Sequence, residues 1–281
     1  MIKAKAFIIA ALAICLLASL ASCTVSTTPA PTSTSTLVYA SPEDFEYEIY
    51  GPNATITGYK GVGGNVVIPQ TMDGYSMVTS IGKNAFWGCT SITSIIMPDS
   101  VIKIGYSAFY DCRSLSSVIM PNSVTSIDPS VFSMCFSLTS ITLPDSVTSI
   151  GSRAFSFCWK LDSISIPDSV TSIDYGAFSS CISLTSVTIP EKVESISSGT
   201  FAFCTNLTSV TIPSSVTSID NDTFRGCSSL TSLLIPISVT HIGEMAFAEC
   251  PNLVVICSPD SYVWKYCLAN GVTHQLVPTA E

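Results

Sequence analysis

The sequence predicts a mainly β, single-domain solenoid wound from 23-residue rungs, capped by a β-hairpin at the N-terminal end and by a short helix at the other. Three columns carry that prediction. Phenylalanine recurs every 23 residues at Phe86, Phe109, Phe132, Phe155, Phe178, Phe201, Phe224 and Phe247. Cysteine keeps the same step at Cys89, Cys112, Cys135, Cys158, Cys181, Cys204, Cys227 and Cys250, and proline at Pro98, Pro121, Pro144, Pro167, Pro190, Pro213, Pro236 and Pro259. A unit this short has too few apolar positions to bury a core alone, so it must stack on copies of itself.

Residues 1–22 form an export signal, with Lys3 and Lys5 as its positive start and an apolar run from Ala6 to Leu20. That run is shorter than the roughly 20 residues of a membrane-spanning helix. It leads into Leu20-Ala21-Ser22-Cys23, which resembles the bacterial lipobox. The resemblance implies that Cys23 becomes a lipidated N-terminus; ordinary secretion with cleavage after Ser22 is the alternative. Residues 23–36 are a Ser/Thr/Pro tether with too little apolar surface to offset its ordering entropy. Residues 37–77 hold the N-terminal cap and an atypical first rung: Phe45 to Tyr50, a Gly51-Pro52-Asn53 turn and Ala54 to Tyr59 read as a hairpin.

Residues 78–261 are the regular repeats. Val187 and Ile189, two apart, send their side chains to one face of a strand, and their equivalents are expected to form one parallel sheet. Pro190 ends the strand because it offers no N–H to a ladder. The next position, filled by Asp99, Asn122, Asp145, Asp168, Glu191 and Asp260, suits a turn. Val193 and Ile196 point inward from a second extended segment. After it come Gly105, Asp128, Gly151, Asp174, Ser197, Asp220 and Gly243, a set expected to mark a turn or a positive φ. The phenylalanine column is the stacked core. Residues 262–281 form the C-terminal cap and tail, with Ser261 as N-cap, a helix through Leu268 and a stop at Gly271.

Written along a rung, the motif is L-x-x-I-x-I-P followed by V-x-x-I-G-x-x-A-F-x-x-C, and from about residue 45 to 274 it resembles the BspA-like leucine-rich repeats. The resemblance implies a leucine-rich-repeat solenoid acting as a surface adhesin toward host matrix proteins, other bacteria or polysaccharide. It assigns no contact residue, because the motif residues are structural.

Composition narrows the chemistry. Charged residues make up 11% of the chain, against roughly 25% in an ordinary soluble domain. The net charge of -9 argues against nucleic acid, which needs clustered Lys and Arg. Metal is not expected of the Cys column, since its thiols lie along a line at a rung spacing of about 4.8 Å and do not converge on a point. They are expected to be buried small hydrophobes bonded to backbone. Cys257 and Cys267 lie off the column and are a candidate disulfide pinning the cap. The acidic turn column has oxygen ligands of the kind calcium takes, although a Pro-Asp turn in each rung accounts for it equally. His241 and His274 are expected to be exposed, and no nucleophile and base pair stands out, so neither an enzyme nor a cofactor is expected.

The rungs disagree most beside the Cys column. Trp87, Tyr110, Met134, Phe136, Phe157, Trp159, Ile182 and Phe203 stand where other rungs carry small or polar residues. Met134, Phe136, Phe157 and Trp159 fall on adjacent rungs and are the candidate partner-binding residues; packing over the core is the alternative. Repeated hydroxyls such as Thr185, Ser186 and Thr188 are either a sugar- or ice-binding array or soluble filler. The expectation is a lipid-anchored, surface-exposed monomer that binds extracellular protein, with a polysaccharide ligand as the alternative. Its contact with the membrane would be through the lipid alone.

Overall fold

The computed structural model describes residues 38–277; the expected export signal, Cys23 and the tether lie outside them. Each rung has three sides. The first is a short strand such as Ser186–Thr188, the second a shorter one such as Ser195–Ile196, and the third a run of turns carrying the phenylalanine and the cysteine. Strands pair in parallel one repeat apart, Ser186 opposite Ser209 and Ser195 opposite Ser218.

The first side is less continuous than the expected single sheet. Val38–Tyr39, Gly64–Val67, Ile92–Ile96 and Ser117–Ile119 form one ladder. Ser186–Thr188 pairs with Ser209–Thr211, and Ser232–Leu234, Val254–Cys257 and His274–Leu276 form a third piece. In the two rungs between, the side is reduced to an isolated Thr142–Ser165 bridge. The break falls where Phe136 and Trp159, stacked 4.2 Å apart, lead into those strands. Ile141, Leu143, Ile164 and Ile166 stay buried, so packing continues where the ladder stops.

On the third side, alternate residues donate to the next rung and the residues between them donate within their own. Arg153, Phe155 and Phe157 give their N–H groups to Tyr175, Ala177 and Ser179, each at 2.8 Å, while Ala154, Ser156 and Cys158 close local turns at 3.1–3.2 Å. This alternation needs left-handed backbone on both sides of each phenylalanine. One column of positive φ runs through Asn84, Ser107, Ser130, Arg153, Gly176, Gly199, Asp222 and Met245. The other runs through Gly88, Asp111, Met134, Phe157, Ser180, Phe203, Gly226 and Glu249, and both lie between 54° and 72°. The column expected to mark a turn or a positive φ opens a turn without the positive φ: Gly105 and Gly151 accept from Ala108 N and Ala154 N, each at 3.1 Å, and Gly105, Gly151 and Gly243 are absent from the left-handed region. Their requirement is close approach, since a Cβ on Gly151 would sit 2.7 Å from Pro129 N of the preceding rung.

The phenylalanine rings form one stack from Phe86 to Phe247, with neighbouring centroids 4.9–6.1 Å apart and planes within 20° of parallel. Tyrosine closes both ends. Tyr59 and Phe45 pack on Phe86, and Tyr266 meets Phe247 edge-on at 6.2 Å. At each end the ring is apolar on one side and near water on the other, and a phenol meets both conditions.

The hairpin of Phe45–Tyr50 and Asn53–Tyr59 is antiparallel, and its inner strand pairs in parallel with Met77–Ile81. Its outer strand is a sheet edge, made a poor template by a bulge at Glu46/Tyr47 and by exposed Glu46 and Glu48. At the other end a helix spans Tyr262–Asn270, two residues beyond its expected end at Leu268. Ser261 Oγ accepts from Trp264 N at 3.1 Å, and Gly271, left-handed at φ 65°, donates to the Cys267 carbonyl. Val263 and Cys267 seal the core beneath.

Removing one ring from mid-stack leaves a cavity between two rungs that cannot close independently. Phe155→Ala is expected to lower unfolding free energy by about 3–5 kcal/mol, read from the urea midpoint and slope.

Candidate binding surface

The third side also carries the variable residues. Met134 and Phe157 occupy the left-handed column after the phenylalanine, whereas Phe136 and Trp159 follow the cysteine. The four candidates therefore resolve into two pairs with different surroundings. Phe136 and Trp159 stack nearly parallel, at 18°. Met134 and Phe157 line a depression together with Trp87 and Tyr110. Phe157 is 40% exposed and Trp159 43%, while Met134 and Phe136 are half-buried, so packing over the core describes only part of the group.

A bulky side chain in left-handed backbone costs roughly 1–2 kcal/mol, and these persist because inter-rung bonds fix the backbone. Met134 N reaches Ser156 O at 2.8 Å and Phe203 N reaches Arg225 O at 2.6 Å. The strain holds each side chain out from the coil in a set direction. Phe203 lies so close over the next rung that a Cβ on Gly226 would meet its ring at 2.6 Å.

Residues two and three places before each phenylalanine complete this surface and were not singled out from the sequence. Tyr106 and Tyr175 are about half exposed, and cations sit over them: Lys83 Nζ is 5.4 Å from the Tyr106 ring centre and the Arg153 guanidinium 5.1 Å from that of Tyr175. Arg225 lies 5.6 Å from the Phe203 ring and pairs with Glu249 at 2.7 Å. The available signal was again departure from the column, read along a different column. Two depressions of about 300 and 550 Å³ run along the side and share Arg153, Ser156 and Phe157.

Elsewhere the repeated residues are structural. Of the hydroxyls expected as filler or as a ligand array, the Thr185 column ties rungs together, Thr185 Oγ1 donating to Asp162 O at 3.3 Å and Thr208 Oγ1 to Thr185 O at 3.0 Å; a separate serine column does the same, Ser146 Oγ donating to Val124 O at 2.6 Å. Each thiol from Cys112 to Cys250 donates to the carbonyl of the phenylalanine 26 residues earlier, as Cys158 does to Phe132 at 3.2 Å. Burial pushes these thiols up, Cys181 to about 12, while Cys89 and Cys250 are only half-buried. Cys257 and Cys267 are present as buried free thiols, with Cys267 pushed to about 11 by burial and by Cys257 beside it. Among the described residues no three His, Cys, Asp or Glu converge as a metal site. His241 is exposed; His274, expected to be exposed, is half-buried with Nδ1 3.1 Å from Val272 O.

A rigid solenoid whose one side varies from rung to rung is the architecture of a repeat protein that presents an extended contact surface. The family is defined by sequence as well. Six copies of the BspA type leucine-rich repeat region match over residues 66–183 and 152–270, and the chain belongs to that family. A leucine-rich repeat protein of Treponema pallidum is 28% identical, with a TM-score of 0.63 over 87% of this chain and 100% of its own. A leucine-rich cell surface protein of Faecalibacterium prausnitzii is 35% identical over 76% of this chain, at TM-score 0.53; the match spans 53% of that protein's length. A leucine-rich repeat protein of Bacteroides ovatus is 28% identical over 76% of this chain and 70% of its own, at TM-score 0.56. No curated protein is significantly similar to the chain.

Two measurements test the buried thiols. A thiol reagent added to native protein is expected to reach Cys89 and Cys250 first and the six between them only on unfolding; reaction of all eight in the native state contradicts their burial. Stability is also expected to fall with alkali. Below the ordinary thiol pKa of about 8.5 both states keep their protons, but above it the unfolded chain releases protons that the folded chain holds. The urea midpoint should hold to about pH 8 and then decline toward pH 12, less steeply in Cys158→Ala, since each buried thiol accounts for about 1.4 kcal/mol per pH unit.

Proposed function

We propose that this chain is an exported lipoprotein, anchored through Cys23, that is displayed at a bacterial surface and recognises proteins of a host or of other bacteria, working as a monomer by binding alone. The observation that carries this reading is the third side, where exposed aromatic residues are held in strained backbone on a stiff repeat scaffold. Aromatic and arginine side chains in fixed, partly desolvated positions are the usual anchors of protein interfaces. The family and the cell-surface description of the F. prausnitzii relative support display at the surface. The Leu20-Ala21-Ser22-Cys23 sequence supports the lipid anchor. A second reading, a carbohydrate-binding accessory lipoprotein, draws on the Phe136–Trp159 stack, a flat and partly exposed aromatic platform.

A soluble chain beginning at residue 37, screened against matrix proteins, bacterial surfaces and a glycan array, is expected to retain a protein ligand. Phe157→Ser combined with Trp159→Ser should abolish that retention while leaving the urea midpoint in place, because Ser180 and Ser228 occupy the same two columns in other rungs. Retention of glycans in place of proteins favours the second reading. The anchor has its own readout: Cys23→Ser should move the protein from the membrane fraction to the medium.

A further inference from the structure

The larger depression is cationic, against the acidic balance of the chain. It spans four successive rungs, from Lys83 to Phe157, and holds about 550 Å³. Its lining contains two cations, Lys83 and Arg153, and no carboxylate, in a sequence with twenty acidic residues against eleven basic. Neither cation forms an ion pair among the described residues, whereas Arg113 and Arg225 both do. Carboxylates lie in adjoining depressions: Asp128 in one that Lys83 and Lys103 also line, where it accepts from Ser126 Oγ at 3.1 Å, and Asp222 in one that Arg153 also lines, where it pairs with Arg225 at 3.4 Å. The two cations are held over the Tyr106 and Tyr175 rings, which leaves them in place at the depression without an ion pair among the described residues.

A matching ligand is anionic, extends across several rungs and carries apolar groups for the rings. The rings discriminate between two such ligands. Trp87 and Tyr110 meet at 84°, so the two rings do not join into one flat platform for successive sugar rings, and the flat Phe136–Trp159 pair does not line the depression. Met134 and Phe157 instead offer an irregular apolar floor, the Phe157 ring fixed by its backbone and the Met134 thioether free to adjust beyond Cβ, of the kind that accepts side chains. We propose that this depression docks an extended acidic segment of a protein partner, with carboxylates at Lys83 and Arg153 and apolar side chains against Trp87, Tyr110 and Phe157. The proposal deepens the protein-binding reading above and rests on it.

The test uses the full-length chain and three fluorescein-labelled peptides of equal length, alternating Leu with Glu, Lys or Ser, followed by polarisation. The Glu peptide is expected to bind, more weakly as salt rises, and the Lys and Ser peptides to fail. Lys83→Glu and Arg153→Asp should each weaken the Glu peptide at least tenfold with unchanged urea midpoints. Both replacements have precedent in the array, where Glu244 and Asp222 fill the same two columns. Equal binding of the Ser peptide, or full affinity in both folded variants, overturns the proposal. So does binding of polygalacturonate oligomers without the Glu peptide, which would make the ligand an acidic glycan. If the surface screen retains a protein partner and both charge variants retain it equally, protein binding stands and this docking site falls. If neither partner nor peptide binds, both fall.

Discussion

Each rung passes three N–H groups to the next along the turn side, and it can do so only by turning left-handed on both sides of its phenylalanine. Much else follows from that constraint. The alternating bonds fix the spacing of rungs, and that spacing sets the phenylalanine rings at stacking distance. It also leaves the phenylalanine carbonyl with one donor from its own turn and room for another, which the cysteine of the next rung supplies. A thiol suits the place because it is small, apolar enough for full burial and still a weak donor. Serine hydroxyls perform the corresponding task where the second side begins, reaching valine carbonyls of the preceding rung. On the turn side, from Asn84 to Glu249, this lattice holds an unvarying 23-residue step, whereas the first side tolerates a change at the ends: Ser232 pairs with Val254, 22 residues on, and Asn65 with Ser94, 29 on.

The architecture was legible because stacking turns each structural need into a column. Phenylalanine, cysteine and proline announced the register, and the hairpin and closing helix stood out as departures from it. What was hidden lay in conformation and in the ends. Positive φ could not be read from residue type, because Asn84, Arg153 and Met245 share one column with glycines; inter-rung bonding overrides the local preference. Tyr59 and Tyr266 were invisible to periodicity, since both close the stack from outside the register. The broken first-side ladder was not foreseen, as Thr142 and Ser165 lie in rungs whose core motif is intact and the departures beside them, Phe136 and Trp159, carry no one-dimensional sign that a ladder would open.

The candidate surface was half legible for a related reason. Aromatic replacements beside the cysteine were conspicuous, and two of them, Phe136 and Trp159, do stack. Nothing in one dimension showed that Met134 and Phe157 would face Trp87 and Tyr110, or that Lys83 and Arg153 would join them across four rungs. The division of labour is spatial: positions that face the core or bond to the next rung repeat, and positions that end in solvent on the turn side are released to vary. The turn side is therefore where a scaffold of near-identical units acquires individuality.

The tyrosine closures carry a consequence for how such a chain changes over time. Tyr266 packs on a phenylalanine that differs little from any other in the stack, and Tyr59 does the same at the opposite end. Each terminus fits a generic ring and not a unique neighbour. Whole rungs can then be gained or lost between them by unequal recombination in the gene, with both ends still closed. The reach of the molecule is thus set by a copy number, and a new contact surface can be added by duplicating a unit and then altering its outward residues.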